Sequence, residues 1–245
     1  MTFWRRPVTR QRQNRPRIAP LLAALVLGAL AARPASAQEG IAIPAPAADA
    51  PAVSGPVAVA VVAGGCFWGV QGVFQHTAGV LNAVSGYAGG EADTGHYNLV
   101  VRGTTGHAEA VEITYDPEKI SYATVLQIFF SVAHDPTQLD RQGPDVGTQY
   151  RTAIFPQDEA QAQFARAYIA QLNQARVFDA AIVTKIEADR PFYRAEDYHQ
   201  DYMTRNPTQP YIAYYDLPKV ENLKRLFPDI YREAPVLVSQ ADPAD

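Results

Sequence analysis

The chain has 245 residues, of which 47% are hydrophobic and 19% charged, a composition that excludes a disordered protein. Its single cysteine, Cys66, excludes a disulfide within one chain and any zinc site built from several thiolates. Beyond residue 37 the chain carries 14 basic and 25 acidic residues, and this negative balance argues against a nucleic-acid partner.

The first 37 residues have the pattern of a secretory signal peptide. They contain seven arginines and no acidic residue, residues 18–32 are nearly all apolar, and residues 35–37 form the Ala-Ser-Ala pattern that signal peptidase cleaves. The apolar run is shorter than the about 18 residues of a membrane anchor. We therefore expect cleavage near Ala37 and a periplasmic or secreted protein with no stable membrane insertion afterwards.

The rest of the chain divides into three parts. Residues 38–56 are rich in Ala and Pro and predict a flexible or polyproline-like tether. Residues 57–233 predict one globular domain, and residues 234–245 a flexible tail. Hydrophobic patterning within the domain predicts strands over residues 57–62, 80–87, 107–115, 150–155 and 181–187, and helices over residues 66–75, 121–133 and 158–176.

This order of elements predicts an α+β fold, a two-layer sandwich with a mixed sheet and a split βαβ, ferredoxin-like core. We expect residues 181–187 to form the last central strand and residues 88–106 a glycine-rich loop. The aromatic, Pro-rich chain beyond residue 190 is expected to wrap the domain without regular structure.

Cys66 lies between a glycine pair and the predicted start of a helix. At that position the sulfur would face unpaired backbone N–H groups and the positive end of the helix dipole, which stabilise a thiolate. A lone cysteine is more often a small buried hydrophobic residue. The strand-Gly-Gly-Cys-helix junction in an exported protein favours a catalytic role instead.

Five motifs resemble those of the peptide methionine sulfoxide reductase A family. They are Gly65-Cys66-Phe67-Trp68-Gly69, Gly86-Tyr87-Ala88-Gly89-Gly90, Tyr97-Asn98, Gly106-His107-Ala108-Glu109-Ala110 and Gly147-Thr148-Gln149-Tyr150-Arg151. The resemblance covers about residues 58–230. It implies an α+β sandwich and a catalytic domain that reduces methionine S-sulfoxide, free or in oxidised proteins, without a cofactor or metal.

The resemblance also implies roles for the site residues. Cys66 would attack the sulfoxide sulfur and take its oxygen as a sulfenic acid, while Glu109 would protonate that oxygen with help from the hydroxyls of Tyr97 and Tyr150. The apolar neighbours of Glu109 should raise the pKa of its carboxyl. An ionised Glu109 would raise the pKa of the Cys66 thiol, so we expect one shared proton once a sulfoxide is bound, with Cys66 charged and Glu109 neutral.

Three further residues are candidates for substrate binding. Phe67 and Trp68 at helical spacing are typical of core residues, and the resemblance makes them walls of an apolar pocket for the S-methyl group. Asp145 is equally consistent with a turn residue and with an anchor for a substrate amide or a water.

Cys66 has no second cysteine to reduce it. The segment 206–220 resembles the branch of the family without recycling cysteines, which implies reduction by an external thiol, small or protein-borne. We expect a monomer. The five histidines have no spacing that suggests a metal site.

Three alternatives remain open at this level. A one-cysteine thiol peroxidase also forms a sulfenic acid, but Ala63 stands where it usually has Thr or Ser. A Cys–His hydrolase would need a partner for His107, which we expect only to shape its loop. A non-catalytic periplasmic binding module would keep the aromatic pocket and tolerate the loss of Cys66.

Overall fold

The computed structural model describes residues 1–4 and 39–238. Most of the predicted signal peptide, residues 5–38, and residues 239–245 of the predicted tail lie outside the described residues. Within the described part of the chain, no helix is both long and apolar enough to cross a membrane.

Six strands form one mixed sheet in the described domain. The four inner strands are β1 (Ala58–Gly64), β2 (Val80–Ala88), β3 (Ala108–Tyr115) and β6 (Thr152–Phe155), in the order β6-β1-β3-β2 with antiparallel neighbours. This order is that of a split βαβ core, as predicted. At the edges, β7 (Lys185–Ile186) pairs parallel to β6, and β8 (Phe192–Arg194) pairs antiparallel to β2.

The helices are shorter and more numerous than predicted. They are α1 (Phe67–Gln75), α2 (Tyr97–Val100), α3 (Tyr122–Ile128), α4 (Glu159–Ala175), α5 (Tyr202–Arg205) and α6 (Leu217–Leu226). The side chains of Ser121 and Asp158 accept hydrogen bonds from the first turns of α3 and α4 and fix where these helices begin. A two-residue hairpin ladder, β4 (Arg141–Gln142) with β5 (Asp145–Val146), precedes β6.

Alternation along β3 places its side chains on two different faces of the sheet. Val111 and Ile113 belong to the large core that includes Phe67, whereas Ala108 and Ala110 belong to a smaller cluster on the opposite face. Since side chains two residues apart on a strand share a face, Glu109 points to the α1 side of the sheet.

Several predicted boundaries were wrong. Tyr150 lies in a 3₁₀ turn, Thr148–Tyr150, and the strand begins only at Thr152. The helix predicted to residue 133 ends at Ile128 and continues as a π-helical turn. Residues 181–187 contribute two residues at the sheet edge, because β6 already lies between them and β1. The predicted loop 88–106 contains α2.

The chain beyond residue 190 is more regular than predicted. It contributes β8, α5 and α6, since β8 completes a sheet edge and α6 carries the buried Val220 and Leu223. Residues 234–238, within the predicted tail, also contact the domain. The N–H of Val236 donates to the carbonyl of Gln75, and the N–H of Val238 donates to Asp201.

Residues 40–47 of the predicted tether lie against the domain. Ile43 is buried in the main core, and its carbonyl accepts a hydrogen bond from Gln127. The carbonyls of Gly40 and Pro44 accept from Arg225 and the Tyr168 hydroxyl. This part of the segment is therefore held by specific contacts, in contrast to the flexible tether predicted from its composition.

Candidate active site

Cys66 occupies the junction between β1 and α1. Gly65 has φ +86°, and a Cβ at this position would overlap the side chain of Gln142, so only glycine fits here. The turn places Cys66 at the N-cap of α1, where it is 8% exposed. The sulfur thus lies at the end of a nine-residue helix whose first N–H groups have no partner within that helix.

Glu109 lies directly against this helix start. Its Oε2 accepts a hydrogen bond of 3.0 Å from the backbone N–H of Phe67, and its side chain is buried. Burial raises the pKa of Glu109 to about 8; the N–H of Phe67 partly opposes this effect, and the charges of Asp145 and Asp216 add to it. Glu109 is therefore mostly protonated at neutral pH.

The position of Cys66 at a helix start suggested a lowered pKa for its thiol, but this pKa is raised. Burial raises its pKa well above the ordinary value, and the charges of Glu109 and Asp216 raise it further. The backbone N–H of Trp68 and the charge of Lys219 act in the opposite direction and are weaker. In the free protein desolvation thus outweighs the effect of the helix end, and Cys66 carries its proton.

Tyr97 is the first residue of α2 and is held there by a carboxylate. Oε1 of Glu196 accepts from the N–H of Tyr97 at 3.0 Å, while Oε2 accepts from the hydroxyl of Tyr87 at 2.9 Å. Burial, and then the charges of Glu109 and Cys66, raise the pKa of Tyr97. Its hydroxyl is therefore a neutral donor within electrostatic range of both groups.

Tyr150 is positioned by its neighbour Arg151. The buried Arg151 guanidinium donates two hydrogen bonds to Glu187, at 2.8 and 2.9 Å, and one each to the carbonyls of Gly106 and Thr148. These bonds tie the turn that carries Tyr150 to the loop before β3. Burial and the charge of Glu109 raise the pKa of Tyr150, so this hydroxyl is also neutral.

Phe67 and Trp68 are two walls of an aromatic cluster beside the thiol. Phe67 is fully buried, and its ring lies 5.0 Å from that of His199. Trp68 is half-buried; its Nε1 donates to Nδ1 of His199 at 3.3 Å, and its ring stacks on Tyr202 at 3.9 Å. The ring of Tyr211 meets Trp68 edge-on at 6.2 Å. These rings form apolar surroundings of the kind that suit a methyl group.

Asp145 contacts the same cluster through Tyr211, whose hydroxyl donates to Oδ2 of Asp145. Burial raises the pKa of Asp145, while this hydrogen bond lowers it. The structure therefore brings Asp145 to the edge of the aromatic cluster. Its role toward substrate stays a prediction.

His107 shapes the loop before β3. Its Nδ1 accepts from the N–H of Gly90 at 3.2 Å, and its Nε2 bonds to the carbonyl of Glu91 at 3.0 Å. With both ring nitrogens used by the loop, His107 is not available as a base for Cys66. Among the residues that the structure describes, no group of three or more His, Cys, Asp or Glu side chains could hold a metal ion.

Sequence reasoning missed several residues that build the site. They are Arg151, Glu196, His199, Tyr202, Tyr211, Asp216 and Lys219. Most come from the C-terminal segment. Its many aromatic residues were visible in the sequence, but the sequence did not indicate which of them lie near Cys66. The spacing of Asp216 and Lys219, three residues apart, was a local signal of a side-chain interaction there.

Comparison with known proteins agrees with this geometry. The family model described as "Peptide methionine sulfoxide reductase" matches residues 58–229. A Mesorhizobium japonicum protein named "Peptide methionine sulfoxide reductase MsrA 2" is 62% identical over 74% of this chain and 93% of its own. A protein of the same name from Synechocystis is 50% identical over 69% of this chain and 79% of its own.

Two solved structures are also similar. The reduced form of Mxr1 from Saccharomyces cerevisiae has a TM-score of 0.57 and 32% identity over 63% of this chain and 88% of its own. Methionine sulfoxide reductase A of Corynebacterium diphtheriae has a TM-score of 0.54 and 31% identity over 72% of this chain and 91% of its own.

Proposed function

The chain belongs to the peptide methionine sulfoxide reductase family and is an enzyme that reduces methionine sulfoxide, and we propose that Cys66 and Glu109 carry this reaction. Membership of this family does not favour the thiol peroxidase or the binding module. The observation that carries the assignment of residues is the hydrogen bond from the Phe67 N–H to Glu109, which holds a mostly protonated carboxyl at the helix start where Cys66 lies.

The first step joins Cys66 to the substrate. Because Oε2 of Glu109 accepts from Phe67, the acidic proton is carried by Oε1 and is donated to the sulfoxide oxygen. The sulfur of Cys66 bonds to the sulfoxide sulfur, and the thiol proton passes to the Glu109 carboxylate. In sum, the S–H bond of Cys66 is broken, the S=O bond of the substrate becomes an S–O single bond, one S–S bond and one O–H bond are formed, and Glu109 is protonated again.

The second step releases the product. The S–S bond to Cys66 and the S–O bond of the substrate both break, the OH forms a new S–O bond to the Cys66 sulfur, and the thioether leaves as methionine, so that the substrate is reduced and Cys66 is oxidised to a sulfenic acid. In the first step, Tyr97 and Tyr150 donate hydrogen bonds from neutral hydroxyls to the sulfoxide oxygen, which carries partial negative charge until Glu109 protonates it. The high pKa of both tyrosines supports this role.

The ring faces of Phe67 and Trp68 bind the S-methyl group. A sulfoxide sulfur is chiral, and a methyl held on this wall with the oxygen turned toward Glu109 selects one configuration, for which we propose the S epimer.

An external thiol completes the cycle, since Cys66 is the single cysteine of the chain. One thiol condenses with the sulfenic acid to a mixed disulfide and water, and a second thiol releases Cys66 as the thiol and leaves as a disulfide. Neither step needs a metal or a bound cofactor.

The reductase acts as a monomer that is exported, with its signal peptide cleaved near Ala37. The mass and the N-terminal sequence of the purified protein test this.

Intact-mass measurement tests the chemistry directly. One equivalent of methionine S-sulfoxide without reductant should add one oxygen to Cys66 and release one equivalent of methionine. The R epimer should leave the protein mass unchanged, and Cys66→Ser should abolish both the mass gain and methionine release while it keeps the fold. Methionine release without oxidation of Cys66 would overturn the mechanism.

A further inference from the structure

A continuous path of aromatic rings leads from Trp68 to the protein surface. From Trp68 it passes to Tyr211, then to Tyr215 at a centroid distance of 5.1 Å and to Tyr214 at 4.8 Å. We call Tyr211, Tyr215 and Tyr214 the aromatic path. Its first two members are half-buried and Tyr214 is 44% exposed, so the path runs outward from the pocket.

The backbone beneath the path is fixed on both sides. Tyr214 and Tyr215 belong to the π-helical turn Ile212–Asp216, whose terminal residues, Ile212 and Asp216, are fully buried. The hydroxyl of Tyr211 is bonded to Asp145. The backbone that carries the rings, and the ring of Tyr211, are therefore held in place before any ligand arrives, which lowers the entropy lost on binding.

We propose that the aromatic path binds the polypeptide segment next to an oxidised methionine, and so separates protein-borne from free methionine sulfoxide. This inference rests on the proposed function. A methionine sulfoxide side chain that lies against Trp68 must continue into its own backbone, and Tyr211 is the ring of the aromatic path that contacts Trp68. The ligand of the aromatic path is thus the polypeptide segment attached to the methionine sulfoxide, because this path is continuous with the site that binds its side chain.

The dimensions fit a short extended peptide. The two steps beyond Tyr211 are each about 5 Å, and an extended chain advances about 3.3–3.6 Å per residue, so about three flanking residues cover them. Free methionine sulfoxide reaches no further than the pocket. Aromatic faces bind CH groups and amides of many sequences with little loss of side-chain entropy, which suits clients of varied sequence in an unfolded state.

Kinetics with two substrates test this proposal. The probes are free methionine S-sulfoxide and a capped seven-residue peptide of alanine and serine with methionine S-sulfoxide at its centre. We expect Tyr214→Ala and Tyr215→Ala to lower kcat/KM for the peptide by about 3- to 10-fold, mainly through KM, and to change it less than about 2-fold for the free amino acid. Tyr214→Phe should restore the peptide value.

Leu81→Ala is the matched control. Leu81 is an apolar side chain of similar exposure, 40%, and it lies six residues along β2 from Tyr87, the strand partner of Glu109. Leu81→Ala should leave kcat/KM unchanged for both substrates. Equal losses for both substrates in the Tyr214 variant, or no loss for the peptide, would overturn the proposal. A change of oligomeric state on Tyr214→Ala would overturn it also, because a second copy would then be the occupant.

Peptide binding to Cys66→Ser, measured by calorimetry, separates this proposal from the catalytic assignment. The added Tyr214→Ala change should weaken peptide binding by the same 3- to 10-fold whatever the rate of turnover. Unchanged peptide affinity would refute the aromatic path, whereas absence of turnover in the unaltered protein would refute only the proposed function.

Discussion

Nζ of Lys219 lies 3.2 Å from Oδ1 of Asp216, with side-chain exposures of 10% and 0%. The pair fits against α1 because Gly69 has no side chain: a Cβ there would overlap the Asp216 carboxylate. The second oxygen of Asp216 has no hydrogen-bond partner among the described residues. A buried carboxylate of this kind depends on its one cation.

Replacing Lys219 should therefore be costly. We expect Lys219→Met to lower the free energy of unfolding by about 3–5 kcal/mol, because it leaves the charge of Asp216 buried and unpaired. The double variant with Asp216→Asn should recover part of that loss. Lys224→Met, on the same helix, removes an exposed pair with Glu233 and should leave the free energy of unfolding nearly unchanged, as urea titration would measure. Equal losses for Lys219→Met and Lys224→Met would contradict the importance of burial.

The raised pKa of Glu109 makes the fold sensitive to pH. Because this pKa, about 8, lies above the ordinary 4.5, protonation favours the folded state. The contribution is fully present below pH 4.5 and is lost as the pH rises through 8. At pH 7 the loss is on the order of 3 kcal/mol.

Glu109→Gln should remove this dependence. The amide keeps an acceptor for the Phe67 N–H but cannot ionise, so the variant should become more stable than the unaltered protein as the pH rises from 4.5 to 8. Chemical denaturation at several pH values measures the difference. Glu118→Gln changes an exposed carboxylate and should produce no such trend. A constant difference for Glu109→Gln across this range would contradict the raised pKa.

The same variant should change two properties of Cys66 in opposite directions. Loss of the neighbouring negative charge lowers the pKa of the thiol, so alkylation by iodoacetamide at about pH 9 should become faster. Loss of the acid should lower kcat/KM for methionine S-sulfoxide by about 10²- to 10⁴-fold. The near-UV circular dichroism of the variant should match that of the unaltered protein, because a disordered site would also expose Cys66 and speed its alkylation. Slower alkylation would show that Glu109 does not act on the thiol through its charge.

Local patterns predicted the sheet core and the residues of the first motifs well. The four inner strands and α1 follow from hydrophobic alternation and from the glycine pair before Cys66. Glu109 could be placed beside Cys66 only through the resemblance, since 42 residues separate the carboxylate from the N–H of Phe67 that it contacts. Contacts over such distances leave no local pattern.

The effect of burial on Cys66 was equally invisible in the sequence. A helix N-terminus predicts a thiolate, but the sign of the net effect depends on desolvation and on Asp216, which lies 150 residues further along the chain. The same reason explains why Lys219 and Tyr211 were missed: their positions depend on how α6 and the turn before it pack against α1.

The docking of residues 40–47 gives the last prediction. Ile43 is 7% exposed and belongs to the main core, whereas Ile41, two residues earlier, is 37% exposed. Since the two side chains share their chemistry, Ile43→Ala should lower the free energy of unfolding by about 2–4 kcal/mol and Ile41→Ala by less than about 0.5 kcal/mol. Urea unfolding of the two variants checks this difference. Small and equal effects would mean that the segment does not fold with the domain, as its Ala/Pro-rich composition alone suggested.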